Sequence, residues 1–461
     1  MKAAITAWLI ALPMASAIPA QADDSEASRP TILFNRWQED WSVLANPDVP
    51  REPFDDLKYA PLWTGAYVSL GADIRERFEA QDAENFGVGD TPSQEYVISR
   101  TEGHVDFHWD GLQAFVQLQS DFAPGKLILT PVDQDRLDLE QAFVAYRIEF
   151  GDGGELQVRA GRQQIAFDLQ RFISVRDGPN VRQSFDALWM EYKLGKWLFT
   201  GFYSQPVQDR DLRVFDDYSS NSFTYGGVHA EYRFTGTIGV SASISQFKQD
   251  DVRWIAVAGD ELRNVFDGRF FGTYKDFDWD VEGMGQLGHI AEDHIAAWAI
   301  GALAGYTFEA VGWTPRLGLQ LDAASGNSNP NSKTFGTFNP LFPNGYYVTL
   351  AGFTGYTNFV HVKPSITVKP VPELTVMLAV ADQWRETTAD AVYTQPDIPV
   401  AGTANHGSAY TGAYVQGRLD WQVNAHLTAS LEAVRFNVAE SVIQAGGHDG
   451  NFVGVESKFA W

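Results

Sequence analysis

Cysteine is absent from the 461-residue chain, so neither disulfides nor thiolate–metal centres contribute to its stability. Beyond residue 22 there is no run of 18 uninterrupted apolar residues, which excludes a membrane-crossing helix. Cations are scarce: 34 Lys and Arg stand against 59 Asp and Glu, a formal net charge of −25. That balance excludes the basic footprint a nucleic-acid binder needs. No G-x-S-x-G or H-E-x-x-H motif occurs. Gly283-Met-Gly-Gln-Leu-Gly288 spells G-x-G-x-x-G, but no helical pattern follows it, and the dinucleotide reading needs one. His289 and His294 flank a short link without the spacing of a metal site. The chain reads as a non-enzyme with no cofactor and no metal centre.

Aromatic residues, by contrast, are abundant: 14 Trp, 17 Tyr and 31 Phe. Membrane barrels gather such rings into girdles at both interfaces. The two ends of the chain agree with that reading. Met1-Lys2 precedes an apolar stretch to Ala15, then Ala20-Gln21-Ala22 and two acids. This is the pattern of a secretory signal with an A-x-A cleavage site. At the other end, Val453, Val455, Ser457, Phe459 and Trp461 alternate with Gly454, Glu456, Lys458 and Ala460. A period-2 strand closing on an aromatic suits an outer-membrane β-barrel.

Period-2 segments recur from residue 64 onward, and eighteen can be placed. They lie near 64–78, 95–109, 111–122, 138–149, 155–166, 184–194, 196–204, 225–235, 237–247, 262–274, 277–288, 294–308, 312–323, 356–369, 373–385, 409–421, 425–436 and 450–461, the tenth being the least regular. The links between them alternate. Short ones such as Trp109-Asp-Gly111 and Gly195 are followed by long ones at 79–94, 123–137, 167–183, 205–224, 248–261, 324–355, 386–408 and 437–449; only the link at 289–293 breaks the pattern. Transmembrane barrels have short periplasmic turns, long extracellular loops and an even strand number. The expected fold is therefore all-β, a transmembrane antiparallel β-barrel of about 18 strands. Residues 1–22 read as signal peptide, 23–63 as an irregular periplasmic or plug-like arm, and 64–461 as the barrel.

Six segments resemble the bacterial alginate-export family of outer-membrane proteins. They are Glu39-Asp-Trp-Ser-Val-Leu44, Asp56-Leu-Lys-Tyr-Ala-Pro-Leu62, Asp135-Arg-Leu-Asp-Leu-Glu-Gln-Ala-Phe143, Gly161-Arg-Gln163, Val175-Arg-Asp-Gly-Pro-Asn-Val-Arg-Gln-Ser-Phe-Asp186 and Gly336-Thr-Phe-Asn-Pro-Leu-Phe342. The resemblance implies an eighteen-stranded barrel in the outer membrane of a Gram-negative bacterium. It also implies partners: outer-membrane lipid and lipopolysaccharide, and a barrel-assembly machinery that reads Trp461. The resemblance is to the broad family and does not single out alginate as solute.

Residue parity assigns the faces. Arg75 and Arg77 point inward on the first strand; Arg100, Glu102, His104, Asp106 and His108 do so on the second. Arg147, Arg159, Arg233, Arg316 and Arg418 follow. Guanidinium groups bind carboxylates in bidentate fashion, so these arginines suit an anion-selective constriction. The interleaved acids allow the opposite reading, a lumen of paired charges that stiffens the barrel. Arg162 falls on the lipid face by strict alternation, where it would cost roughly 2–4 kcal/mol at the midplane. A bulge at Gly161 would turn it inward; the alternative is that Arg162 already lies at the interface and snorkels. The 167–183 loop carries Arg171, Arg176 and Arg182, and is cationic enough to fold into the pore. The 205–224 and 248–261 loops are acidic and read as an exposed rim able to bridge divalent cations. The expected function is a porin-like channel for passive passage of a hydrophilic, anionic or carbohydrate-like solute such as alginate. The alternatives are a structural or adhesive barrel working through its loops and, further off, an outer-membrane hydrolase.

Overall fold

A computed structural model describes residues 29–461, residues 90 and 152 excepted. The signal segment expected at 1–22 lies outside the described residues. Eighteen antiparallel strands close into a barrel. In chain order they are β1 Ala66–Gln81, β2 Gln94–Trp109, β3 Leu112–Phe122, β4 Asp135–Glu149, β5 Glu155–Gln163, β6 Phe185–Leu194, β7 Trp197–Pro206, β8 Phe223–Arg233 and β9 Ile238–Arg253. The second half comprises β10 Ala258–Tyr274, β11 Phe277–Ile290, β12 Asp293–Thr307, β13 Arg316–Ala324, β14 Phe359–Val371, β15 Leu374–Trp384, β16 Tyr410–Gln422, β17 Leu427–Val438 and β18 Gly450–Ala460. β18 pairs with β1 in the register Ile74↔Phe459, so the ring of eighteen strands has no open edge. Trp461 extends that seam: its amide donates to the Ala72 carbonyl at 2.9 Å.

Alternation makes the wall amphipathic. On β2, Arg100, Glu102, His104 and Asp106 are buried inside while Val105 is exposed outside. Leu188, Val228, Ile244, Trp298, Leu319, Leu378, Val415 and Val455 continue the exposed apolar belt. At the short-turn end, Trp63, Trp109, Phe150, Trp197, Phe234, Tyr274, Trp313 and Trp421 are all exposed, which forms the interfacial girdle. Tight turns are built from residues tolerating positive φ, such as Asp110 (φ 49°) and Gly195 (φ 56°).

Two expectations need correction. The 248–261 segment is not a loop. β9 and β10 run on through it, with Val252 opposite Gly259, and only 254–257 turn. No bulge occurs at Gly161 either: β5 pairs in unbroken register with β4 and β6 on both sides of it. The glycine serves close approach instead. Its φ is +130°, and a Cβ there would lie 2.2 Å from the Ala142 carbonyl oxygen.

The hydrophobic core lies inside the barrel at its long-loop end. Phe172, Ile173, Phe338, Phe342 and Tyr356 come from loops and pack on the inward-facing Tyr225, Phe247 and Val265. A second cluster joins Phe86, Leu350 and Phe353 to Tyr414, Phe436 and Phe452. The N-terminal arm enters from the short-turn end. It forms 3-10 turns at Arg36–Gln38 and Trp41–Ala45 and one helical turn at Asp55–Lys58. Arg36 ties it to the wall through Asp73 at 2.7 Å and the Trp461 carbonyl at 3.0 Å.

Candidate functional site: the lumen and its inward-folded loops

The 164–184 loop leaves β5, crosses the lumen and returns to β6. One of its ends is held by β1 and β2. Arg100 donates to the Asp177 carboxylate at 2.7 Å and to the carbonyls of Pro179 at 2.8 Å and Asn180 at 2.7 Å. Arg75 donates to the carbonyls of Asp177 (3.0 Å) and Gly178 (3.2 Å), and pairs with Glu456 at 2.7 Å. Arg182 bridges Glu102 (2.7 Å) and Asp177 (2.8 Å), and Lys458 of β18 reaches Asp177 at 3.1 Å. Burial would push the Asp177 carboxyl up, but Lys458, Arg182, Arg100 and Arg75 together hold it well below the usual carboxylate range. The Gly178-Pro179-Asn180 turn matters here because it aims consecutive carbonyls at arginines; Asn180 adds bonds to the carbonyls of Ser99, Phe122 and Asp133.

The loop's other end is held across the barrel by β11, where Arg171 pairs with Glu282 and, at 3.4 Å, with Asp280. It also donates to the Tyr347 hydroxyl at 2.7 Å. Gly301 leaves room for it: a Cβ there would sit 2.4 Å from Arg171 Nε. The 325–358 loop folds in alongside. Ile173 and Phe342 form a parallel bridge, with the Ser174 amide donating to the Phe342 carbonyl at 2.8 Å. Arg176 is stacked 5.6 Å from the Phe342 ring and donates to the Leu341 carbonyl at 3.2 Å.

Beneath this layer a cavity of about 2010 Å³ extends to the short turns. Its walls come from the short-turn ends of β1 to β3, from β4 to β8 and β10 to β14, from the N-terminal arm, and from residues 164–169 and Val175. Most charges on it are paired. Arg233 meets Glu231 at 2.7 Å, Arg316 meets Asp278 at 2.5 Å, and Arg147 approaches Glu155 at 3.8 Å. Arg269 lies between Asp168 at 2.8 Å and Asp280 at 2.5 Å.

Arg159 differs. It has no carboxylate partner among the described residues, and one of its terminal nitrogens makes no hydrogen bond. Its Nε donates to Gln163. Its guanidinium is held by ring faces instead, 4.2 Å from Trp37, 5.3 Å from Phe143 and 5.5 Å from Trp189. Lys363, also on the cavity wall, donates only to loop carbonyls, at 2.8 Å to Val348 and 3.4 Å to Tyr347. Acids without an ion-pair partner among the described residues gather nearer the mouth: Asp110, Glu149 and Glu309 belong to the short-turn end.

The ten arginines singled out in the sequence thus divide. Arg147, Arg159 and Arg233 line the cavity. Arg75 and Arg100 anchor the inward loop from the wall, and Arg171, Arg176 and Arg182 belong to the loop itself, Arg182 reaching Glu102 on β2. Arg77 is buried between Glu79 (2.5 Å) and Glu432 (2.7 Å). Arg162 does not turn into the lumen. It keeps its parity at the long-loop end of β5, pairs with Asp186 at 3.0 Å and donates to the Leu139 carbonyl at 3.3 Å. Polar partners at the rim remove the cost that motivated a bulge. Sequence reasoning passed over Lys363 and Arg269, although both share a parity face with other polar residues. It also passed over Trp37, for which no periodic signal exists.

Fold and lumen together define an outer-membrane β-barrel of the porin class. The chain resembles a BenF-like porin from Pseudomonas fluorescens Pf-5 at 10% identity and TM-score 0.59, over 86% of this chain and 99% of that one. It resembles the outer membrane protein OpdK of Pseudomonas aeruginosa at 12% identity and TM-score 0.57, over 87% and 100%. A third structure, Pseudomonas aeruginosa OccK2 (OpdF) in complex with glucuronate, aligns at 12% identity and TM-score 0.54, over 85% and 98%. Residues 66–456 match the Alginate export family, and the protein belongs to it. No curated protein matches the chain.

Proposed function

We propose that the protein is a passive outer-membrane channel for a hydrophilic, carbohydrate-like solute bearing a carboxylate. The observation that carries this reading is Arg159, a buried guanidinium on the cavity wall with no carboxylate partner, framed by the faces of Trp37 and Trp189. Guanidinium binds carboxylate in bidentate fashion, and indole faces stack on the apolar faces of sugar rings. Lys363 adds a second cation without a carboxylate partner. Selectivity on this reading rests on these two residues rather than on the full set of arginines, most of which are neutralised pairwise. The glucuronate carried by the OccK2 structure is a carbohydrate carboxylate of the same chemistry, which makes it the probe of choice. Alginate, a polymer of such units, is the natural candidate within the family.

Planar-bilayer recordings of the purified protein test the proposal. Glucuronate and short alginate oligomers should produce blocking events that equal concentrations of glucose do not. Indifference to all three sugars would refute it and favour a structural barrel acting through its loops.

A further inference from the structure

At the long-loop end of the barrel, away from the cavity, the 207–222 loop is laid along the first residues of β4. The Phe215 amide donates to the Leu137 carbonyl at 3.0 Å, and the Asp217 amide to an Asp138 carboxylate oxygen at 3.1 Å. This contact brings together Asp135, Asp138 and Asp217, each offering an oxygen within 4.8 Å of the others. Asp135 is fully buried, and neither of its carboxylate oxygens has a hydrogen-bond partner. A carboxylate stripped of water and of donors is costly unless a cation or a proton meets it. The guanidinium facing the group, Arg162, stands 3.7 Å from Asp138 and is shared with Asp186. The nearby Arg136 is taken up by Asp211 at 2.6 Å. Asp217 uses one oxygen to accept the Arg210 amide at 2.7 Å, which leaves the other for the cluster.

The geometry points to a Ca2+ site formed by Asp135, Asp138 and Asp217 that fastens the 207–222 loop to the barrel rim. Ca2+ takes carboxylate oxygens at about 2.3–2.6 Å, so oxygens sharing one ion lie up to about 5 Å apart, as these do. Three carboxylates from two segments, with water completing the shell, suit this ion. Mg2+ demands near-octahedral geometry and keeps most of its own water. The site is independent of the cavity and of the solute the channel carries.

The loop carries its own reporters, Arg210 and Arg213, both exposed and both trypsin sites. With detergent-purified full-length protein, Ca2+ should slow cleavage there by about tenfold relative to chelator, since a ligand bound only to the closed loop suppresses opening. Mg2+ at the same concentration should protect less. Tb3+ should bind the same site, with luminescence that Ca2+ displaces. Asp217→Asn, a change in the loop that leaves the strands intact, should abolish both effects; Asp135→Asn should do likewise. Retained heat-shifted gel mobility establishes that each variant is folded. Equal cleavage in Ca2+ and chelator for the wild type would overturn the site. So would Ca2+ protection that survives in both variants, the mark of ions held loosely over an acidic surface. A chelated Asp135→Asn variant as resistant as the Ca2+-loaded wild type would show that a proton fills the cluster, and would overturn it too.

Discussion

The guanidinium of Arg159 lies 4.2 Å from the centre of the Trp37 ring. This joins the middle of β5 to an arm that precedes the barrel by some thirty residues. A cation–π contact at a desolvated site contributes about 2 kcal/mol. Trp37→Ala should leave the barrel folded, as judged by gel mobility, and free the Arg159 head. Single-channel recordings should then show higher conductance with shorter glucuronate blocks. Unchanged conductance would mean that the arm does not narrow the path.

Arg159→Ala removes the buried cavity guanidinium that makes no ion pair among the described residues, Glu191 being the acid whose field reaches it. The reversal potential in a KCl gradient should shift toward cations, and the shift should shrink as salt shortens the screening length to about 3 Å at 1 M. The acids at Asp110, Glu149 and Glu309 would then dominate the field along the entrance. A reversal potential that does not move would place selectivity elsewhere.

Asp177 gathers Arg75, Arg100, Arg182 and Lys458 around one carboxylate. Replacing one partner of a buried charge cluster costs about 3–5 kcal/mol. Asp177→Asn should therefore release that end of the inward loop, seen as larger and noisier conductance. The sign of the pH dependence follows from the depressed native pKa. The anchor is fully present above the ordinary Asp value of about 3.9 and fails only as pH falls through the lower native value. Wild-type conductance should stay flat from pH 7 to about pH 4, which acid-side recordings check.

Lys58 sits between two indoles, 4.4 Å from the Trp461 ring and 5.1 Å from the Trp41 ring, and its ammonium makes no hydrogen bond. Burial first, and then Arg36, lowers its pKa to about 8. A lysine whose pKa is depressed in the docked state favours docking when neutral. Docking of the arm should therefore tighten as pH rises from 8 toward the free-lysine value of about 10.4. Tryptophan fluorescence or protease protection of the arm reports it, and Lys58→Met should remove the dependence.

Much of this fold was legible because a barrel wall repeats one physical rule. On β14 the inward His361, Lys363, Ser365 and Thr367 alternate with Val360, Val362, Pro364 and Ile366, and lipid enforces the pattern. Where lipid ends, so does the signal. Around Asp250, Asp251 and Asp260 the strands run on with Val252, Trp254 and Val257 packed on the loop-built core, so acids stand where lipid would demand apolar residues and the segment reads as loop. Gly161 misled for another reason: close backbone approach and a bulge both call for glycine. The inward course of the 164–184 loop was foreshadowed by its arginines in so acidic a chain. Its partners were not, because Asp177 meets Arg100 and Lys458 through chain closure that no local pattern encodes. The Arg159–Trp37 contact is invisible for the same reason.

That loop is pinned at one end to β1, β2 and β18 and at the other to β11, on the far side of the ring. It acts as a tie rod. Lateral pressure from the bilayer can flatten an empty hoop of strands, but here ovalisation would have to stretch or break the buried pairs at either anchorage. The bore is thus metered by the protein itself and should be indifferent to the thickness and tension of the surrounding lipid.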